Sequence, residues 1–260
     1  MDEIPLTGGG RNAVWRRGDT VLRQTGPWAT SVHALLRHLE TVGFEGAPRV
    51  IDPAFDGQDR EVLSFIEGEF VHPHAWSEDA LPSLGRLLKE LHLATESFTE
   101  PADAIWRDWH GRSLGDASAG FGHCDTGPWN IVARNASPFA LIDWEVAGPV
   151  DPEYELAHMC WLNAQLHADD VAELQGLAPL KDRARHLALI VEGYELPQNK
   201  RVSLVDKMIE FAIHDAAAEA EQAHVTPDTR DPEALWGITW RTKSAAWMLR
   251  HRAVLVKALG

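Results

Sequence analysis

The sequence predicts an α+β fold in which a small β-sheet with one helix comes first and a larger, mostly helical part follows. Three observations carry this expectation. Short apolar segments broken by turn residues fill the beginning of the chain. Helical periodicity dominates from Ser77 onward. In the middle, a polar loop and one short apolar strand interrupt the helices. The expected units are residues 1–66 and 67–260.

The elements follow in order. In "AVWRRGDTVLRQTG" the segments Ala13–Arg16 and Thr20–Gln24 flank the turn residues Gly18 and Asp19, the signature of a hairpin. "TSVHALLRHLETVG" changes to a helical period that puts Val32, Leu35, Leu36 and Leu39 on one face, with Thr30 or Ser31 expected as cap and Gly43 as stop. "PRVIDPAFDGQDREVLSFIEG" returns to strands around Asp56 and Gly57. "SEDALPSLGRLLKELHLATESF" is a helix with Leu84, Leu87, Leu88 and Leu91 in period. "FALIDWE" reads as a short strand, and everything after Asp151 reads as helices joined by polar loops.

Composition bounds the function. The chain has 260 residues, 45% hydrophobic and 24% charged, with a formal net charge of −15. That charge argues against a general nucleic-acid binder, which needs a basic surface. No apolar run approaches the roughly 18 to 20 residues that span a bilayer, so no membrane partner is expected. "MDEIPLTGGG" lacks the basic and apolar regions of a signal peptide, and Cys124 and Cys160 are too few for a disulfide framework. Both features lead to the expectation of a cytoplasmic protein. The sequence assigns no oligomeric state.

The stretch richest in chemistry is "HCDTGPWN", His123 to Asn130. Gly127 and Pro128 make it a loop rather than a helix. His-x-Asp-x4-Asn, followed thirteen positions after Asn130 by Asp143 at a strand end, is the layout of a phosphoryl-transfer site. Such a site needs one carboxylate to accept a hydroxyl proton. It also needs an Asn and a second carboxylate to supply the hard oxygen ligands that magnesium prefers. A Cys124–His123 thiol nucleophile is an alternative reading of the same loop, although sequence neighbours rarely face each other.

These residues, read with the run that follows, "ALIDWEVAGPVDPEYELAH", resemble the aminoglycoside phosphotransferase and choline kinase family. The "LGRLLKELHLAT" helix with His92 is similar to the helix this family places before its catalytic loop. The resemblance covers almost the whole chain. It implies a two-lobed protein-kinase-like fold, with residues 1–66 as a nucleotide-binding lobe and 67–260 as a catalytic and acceptor-binding lobe. It implies Asp125 as catalytic base, His123 as support of the catalytic loop, and Asn130 and Asp143 as magnesium ligands. Its partners are ATP or GTP as phosphoryl donor and a small hydroxyl-bearing acceptor. That acceptor is an aminoglycoside-like amino sugar, another antibiotic or a metabolite such as an amino alcohol. Glu155 stands where the family's "DPxYDLA" run has its second Asp.

The N-terminal part departs from the family. Its strand lysine, which holds the α- and β-phosphates, is replaced by Arg23, and no acid stands near Val32 or His33, where the lysine's helix partner is expected. Arginine can hold phosphate with two hydrogen bonds, so Arg23 is the expected clamp. The departure also keeps open a weak or inactive kinase-like nucleotide-binding protein. Gly8, Gly9 and Gly10 would cover the phosphates, and Ser64, Phe65 and Ile66 would form a hinge offering backbone groups to a purine.

Eleven tryptophans are many for this length. Trp236, Trp240 and Trp247 share a helical face, as either core or ligand platform. Asp215 and Glu219 lie one turn apart, either holding an ammonium or facing solvent, while Trp129 and Trp144 flank the reacting residues in sequence.

Overall fold

The computed structural model describes residues 2–6 and 13–260. Five strands, β1 (Ile4–Leu6), β2 (Val14–Arg17), β3 (Thr20–Arg23), β4 (Val50–Phe55) and β5 (Glu61–Ser64), form one antiparallel sheet in the order β1-β2-β3-β5-β4. The hairpin turns at Gly18, whose φ of 61° favours glycine. β3 pairs with β5 so that Arg23 lies opposite Glu61. This register sets one side of the candidate site.

Helix α1 (Ala29–Thr41) covers the sheet, with Val32, Leu35, Leu36 and Leu39 all buried as their period predicts. It ends where Gly43 takes a φ of 81° and the Phe44 N–H reaches back to the Leu39 carbonyl at 2.9 Å. The expected caps do not form. Trp28 occupies the N-cap without a side-chain bond, because Ser31 already lies inside the first turn. Its hydroxyl instead accepts the Ile105 N–H at 2.8 Å.

Past the sheet, the Glu69 and Ala133 backbones exchange both hydrogen bonds, at 3.0 and 2.8 Å, and the Leu141 N–H donates to the Gly46 carbonyl at 2.9 Å. These bonds tie the small sheet to hairpin β7 (Ile131–Arg134) and β8 (Ser137–Leu141). A second short pair, β6 (Phe121–Gly122) and β9 (Gly148–Pro149), brackets the same region. The helices are α2 (Leu81–Thr95), α3 (Pro152–Asn163), α4 (Asp169–Gln175), α5 (Leu180–Tyr194), α6 (Gln198–Gln222), α7 (Pro232–Arg250) and α8 (Arg252–Ala258). Every residue of α3 from Tyr154 to Asn163 is buried, so this helix lies in the core, packed against α6, α5 and α2. Among the described residues no helix is long and apolar enough to cross a membrane.

Helices α2 and α5 cross at glycines. A Cβ at Gly85 would lie 2.0 Å from the Ile190 carbonyl oxygen, and one at Gly193 would lie 2.0 Å from that of Pro82. The backbones touch, so no side chain can yield. Because α2 also carries His92 into the site, this crossing fixes more than helix packing. Gly85→Ala should therefore destabilise the fold by about 1–3 kcal/mol or more through overpacking. Urea denaturation measures this, and an unchanged midpoint would show that the crossing is not tight.

Candidate active site

The loop is built by hydrogen bonds that the sequence could not display. The His123 Nε2–H donates to the Ile142 carbonyl at 2.7 Å, while its Nδ1 accepts the Asp125 N–H at 3.2 Å. The Ile142 N–H in turn donates to the Asn130 carbonyl at 2.9 Å. One residue, Ile142, therefore joins the Asp125 loop to the strand end that carries Asp143 through its N–H and its carbonyl. The Asn130 side-chain NH2 donates to the Asp125 carbonyl at 3.0 Å, which turns its amide oxygen the other way. The Asp125 carboxylate is half-buried, and no described residue hydrogen-bonds it. Asp143 has a φ of 64°, a left-handed conformation that aspartate tolerates better than most residues.

Beneath the loop stands Glu155, fully buried. Its carboxylate accepts the Cys124 N–H at 2.6 Å and the His92 Nε2–H at 2.7 Å, and the other His92 nitrogen meets the Tyr194 hydroxyl at 2.8 Å. Burial pushes the Glu155 carboxyl up, but the His92 hydrogen bond and charge and the Cys124 amide bring it below the ordinary carboxylate range. The Cys124 amide bond holds this residue at a φ of 70°. Gly122 is required beside it, because a Cβ there would lie 1.8 Å from a Glu155 oxygen.

Two further supports were missed in the sequence. The Asn163 amide donates to the Thr126 carbonyl at 3.0 Å and accepts from Trp76 at 3.1 Å. The Arg112 guanidinium donates to the carbonyls of Arg107, Val146, Ala147 and Pro149, stapling the segment after Asp143. Neither residue belongs to a local pattern, so spacing gave no signal for them.

The thiol reading of the loop fails. Cys124 is fully buried, and burial and then the Glu155 charge raise its thiol far above the ordinary range. Trp144 is also structural. It is wholly buried, donates to the Leu141 carbonyl at 2.9 Å, and stands edge-on to His123 at 4.8 Å. Trp129 differs, being 39% exposed on the loop with His72 at 5.8 Å.

On the sheet side, Arg23 is buried and makes two ion pairs, with Glu61 and with Asp143. It is thus aimed at the strand end, where a clamp is expected. Burial opposes its charge, but Glu61 and Asp143 outweigh that and raise its pKa further. No acid stands near Val32 or His33 on α1, yet Arg23 does have an acidic partner besides Asp143. The acid comes from the neighbouring strand rather than from the helix, and His33 on α1 holds the other Glu61 oxygen at 3.0 Å. Glu40 is exposed and plays no part in this cluster.

The hinge expectation needs correction. The Ser64 N–H donates to the Arg49 carbonyl and the Phe65 N–H to the Asp19 carbonyl, both at 2.8 Å, because β5 continues its pairing to this point. Those two amides are therefore not open to a purine edge. The crossing begins at Gly68, where a Cβ would lie 2.4 Å from the Ala133 carbonyl oxygen. Gly8, Gly9 and Gly10 lie outside the described residues.

The acceptor-side expectations also change. Asp215 and Glu219 neither face solvent nor await an ammonium, because Arg241 on α7 pairs with Asp215 at 2.6 Å and with Glu219 at 3.3 Å. His110 stands 3.7 Å from Asp215, and burial lowers its pKa to about 4. His158 meets Thr126 of the loop at 3.3 Å and stacks on Phe211 at 4.5 Å. The tryptophan stripe divides along α7. Trp247 is fully buried, Trp240 packs against Trp161 at 5.4 Å, and Trp236 is 43% exposed.

A catalytic-type loop and an acidic strand end, joined through the Ile142 backbone and accompanied by a five-stranded sheet, define the class: a two-lobed, protein-kinase-like phosphotransferase fold. The profile described as "Phosphotransferase enzyme family" (APH) matches residues 96–189, which include the loop, the strand end and α3. The chain belongs to this family. It is 57% identical over 258 residues to a trifolitoxin immunity protein of Rhizobium leguminosarum bv. trifolii, covering 99% of both chains. Among solved structures, it is similar to a choline/ethanolamine kinase family protein from Mesorhizobium loti, with 16% identity and a TM-score of 0.63, covering 100% of this chain and 92% of that one. It is also similar to spectinomycin phosphotransferase in complex with ADP and spectinomycin, with 10% identity and a TM-score of 0.58, covering 95% and 92%.

The loop's dependence on Glu155 gives a test. Glu155→Gln removes the charge from a buried network and sets an amide NH2 against His92 or Cys124, a loss of about 3–5 kcal/mol. Chemical denaturation should register it, and a change below about 1 kcal/mol would mean that the loop is held elsewhere.

Proposed function

We propose that this protein transfers the γ-phosphoryl group of ATP or GTP to a hydroxyl of a small acceptor, either an antibiotic-like compound or a metabolite. The observation that carries this reading is the pair of backbone hydrogen bonds made by Ile142, which hold the Asp125 loop and the Asp143 strand end against each other. Residues 1–66 would then carry the nucleotide and 67–260 the acceptor. A relative named for immunity to a toxin suits an acceptor that phosphorylation disarms. The buried free cysteines suit a reducing cytoplasm.

In this mechanism the Asp125 carboxylate orients the acceptor hydroxyl and takes its proton as the oxygen attacks the γ-phosphorus. The bond from phosphorus to the β–γ bridging oxygen breaks, and the nucleoside diphosphate leaves with that electron pair. His123 keeps Asp125 in place through the two sides of its ring. The donor set fits magnesium, since the Asn130 amide oxygen and the Asp143 carboxylate are hard oxygen ligands. When bound there, the ion neutralises charge on the phosphates. Arg23 steadies the same phosphates by hydrogen bonding.

One observation favours a second reading. Arg23 is already paired with two carboxylates, which suits a nucleotide-binding protein of low or no turnover. A screen of hydroxyl acceptors with γ-labelled ATP and GTP separates the two. Label transfer to an acceptor supports the kinase, whereas nucleotide binding without transfer supports the alternative.

Two substitutions probe the roles. Asp125→Asn keeps size and polarity but cannot take the proton, so kcat should fall roughly 10²- to 10⁴-fold with nucleotide affinity nearly unchanged. Turnover at the native rate would remove Asp125 from this role. Asp143→Ala should abolish the strengthening of nucleotide binding by magnesium, read by titration calorimetry with and without the metal. An equal metal effect in both proteins would exclude Asp143 as a ligand.

A further inference from the structure

The Arg23 cluster contains a residue to which nothing assigns a role in nucleotide binding. Glu61 lies on β5 directly opposite Arg23 in the sheet register, and its side chain is 1% exposed. One of its oxygens bonds the Arg23 Nε, and the other bonds His33 Nε2 at 3.0 Å. The Arg23 Nη1 reaches Asp143. Among the described residues nothing accepts from its Nη2. The guanidinium is thus fixed at one edge by the strand acid and presented toward the strand end by the other. A lysine ammonium, as a point charge on a flexible stem, has no such two-sided geometry.

We propose that Glu61 is the positioning residue of the phosphate clamp, having taken over from the sheet the work of an acid on α1, and that His33 couples α1 to it. The proposal rests on the kinase reading above. Without the Glu61 charge, Arg23 keeps only Asp143 as ionic partner. Its head then turns toward that carboxylate, and a phosphate must compete with a pair that nothing else restrains. His33 stands where an acid would have faced the clamp and instead donates to Glu61. The position of α1 therefore reaches Arg23 through one more hydrogen bond. The burial of all three side chains, 8%, 1% and 6% exposed, keeps water from screening the chain of contacts.

The test is titration of the full chain with magnesium ATP, which needs no acceptor, followed by steady-state kinetics once an acceptor is known. Glu61→Gln keeps the shape and should weaken nucleotide binding about 10-fold, raising KM for the nucleotide more than it lowers kcat. His33→Glu in the Glu61→Gln protein returns a carboxylate to the cluster from α1 and should recover most of that loss. A purely structural Glu61 would lower the melting temperature without this rescue. If Glu61→Gln does not fold, His33→Leu and His33→Gln replace it: Leu should weaken binding a few-fold, and Gln, which can still donate to Glu61, should restore it. Equal nucleotide affinity in wild type and Glu61→Gln, or in wild type and His33→Leu, while Arg23→Ala binds weakly, would overturn the role of Glu61 and leave the kinase reading intact. No nucleotide binding by the unaltered chain would overturn both.

Discussion

A buried carboxylate without partners would lose several kcal/mol of solvation, and the site depends on how Glu155 avoids that loss. It does so by taking an amide hydrogen from the loop and a ring hydrogen from α2. The catalytic-type loop is therefore shaped by the need of Glu155 for donors as much as by its own residues. The strained φ at Cys124, the glycine at 122 and the direction of His92 all follow from one charge placed on α3, the most buried helix. The close crossing of α2 and α5 belongs to the same chain of causes, since it sets the depth at which His92 and Tyr194 meet the carboxylate.

The two sides of the site are organised differently. Around Asp125 the polar groups are backbone amides and carbonyls held by His123, Asn130, Asn163, Arg112 and Glu155, so the loop is fixed by many hydrogen bonds to its backbone. Around Arg23 the contacts are ionic and few. Fully satisfied networks of this kind hold a geometry, whereas a buried ion pair with an alternative partner can exchange. The same contrast separates Arg241 from its surroundings, where one guanidinium holds two carboxylates that would otherwise repel each other.

Much of this was legible in the sequence, and the limits have a physical origin. The hairpin, the leucine faces of α1 and α2 and the turn at Asp56 follow from local periodicity, which acts over a few residues. The loop and Asp143 stood out because the layout expected of a phosphoryl-transfer site places fixed residue types at a short spacing. Glu61 was not, because strand register pairs it with Arg23 across 38 positions and no local pattern reports register. Arg112, Asn163 and Arg241 share that difficulty. Ser31 and Phe65 were misread for another reason: a hydroxyl that could cap and an amide that could bind a ligand were each taken by a partner distant in sequence.

The two backbone bonds of Ile142 have a mechanical consequence. With its carbonyl held by His123 and its N–H by Asn130, the distance between Asp125 and Asp143 behaves as a fixed length. Any opening of the small sheet away from the helices must then be taken up elsewhere, and the Arg23–Asp143 ion pair is one contact that spans this gap directly at the candidate site. That pair acts as a gauge of lobe separation, with the rigid half carrying the scale and the sheet carrying the pointer.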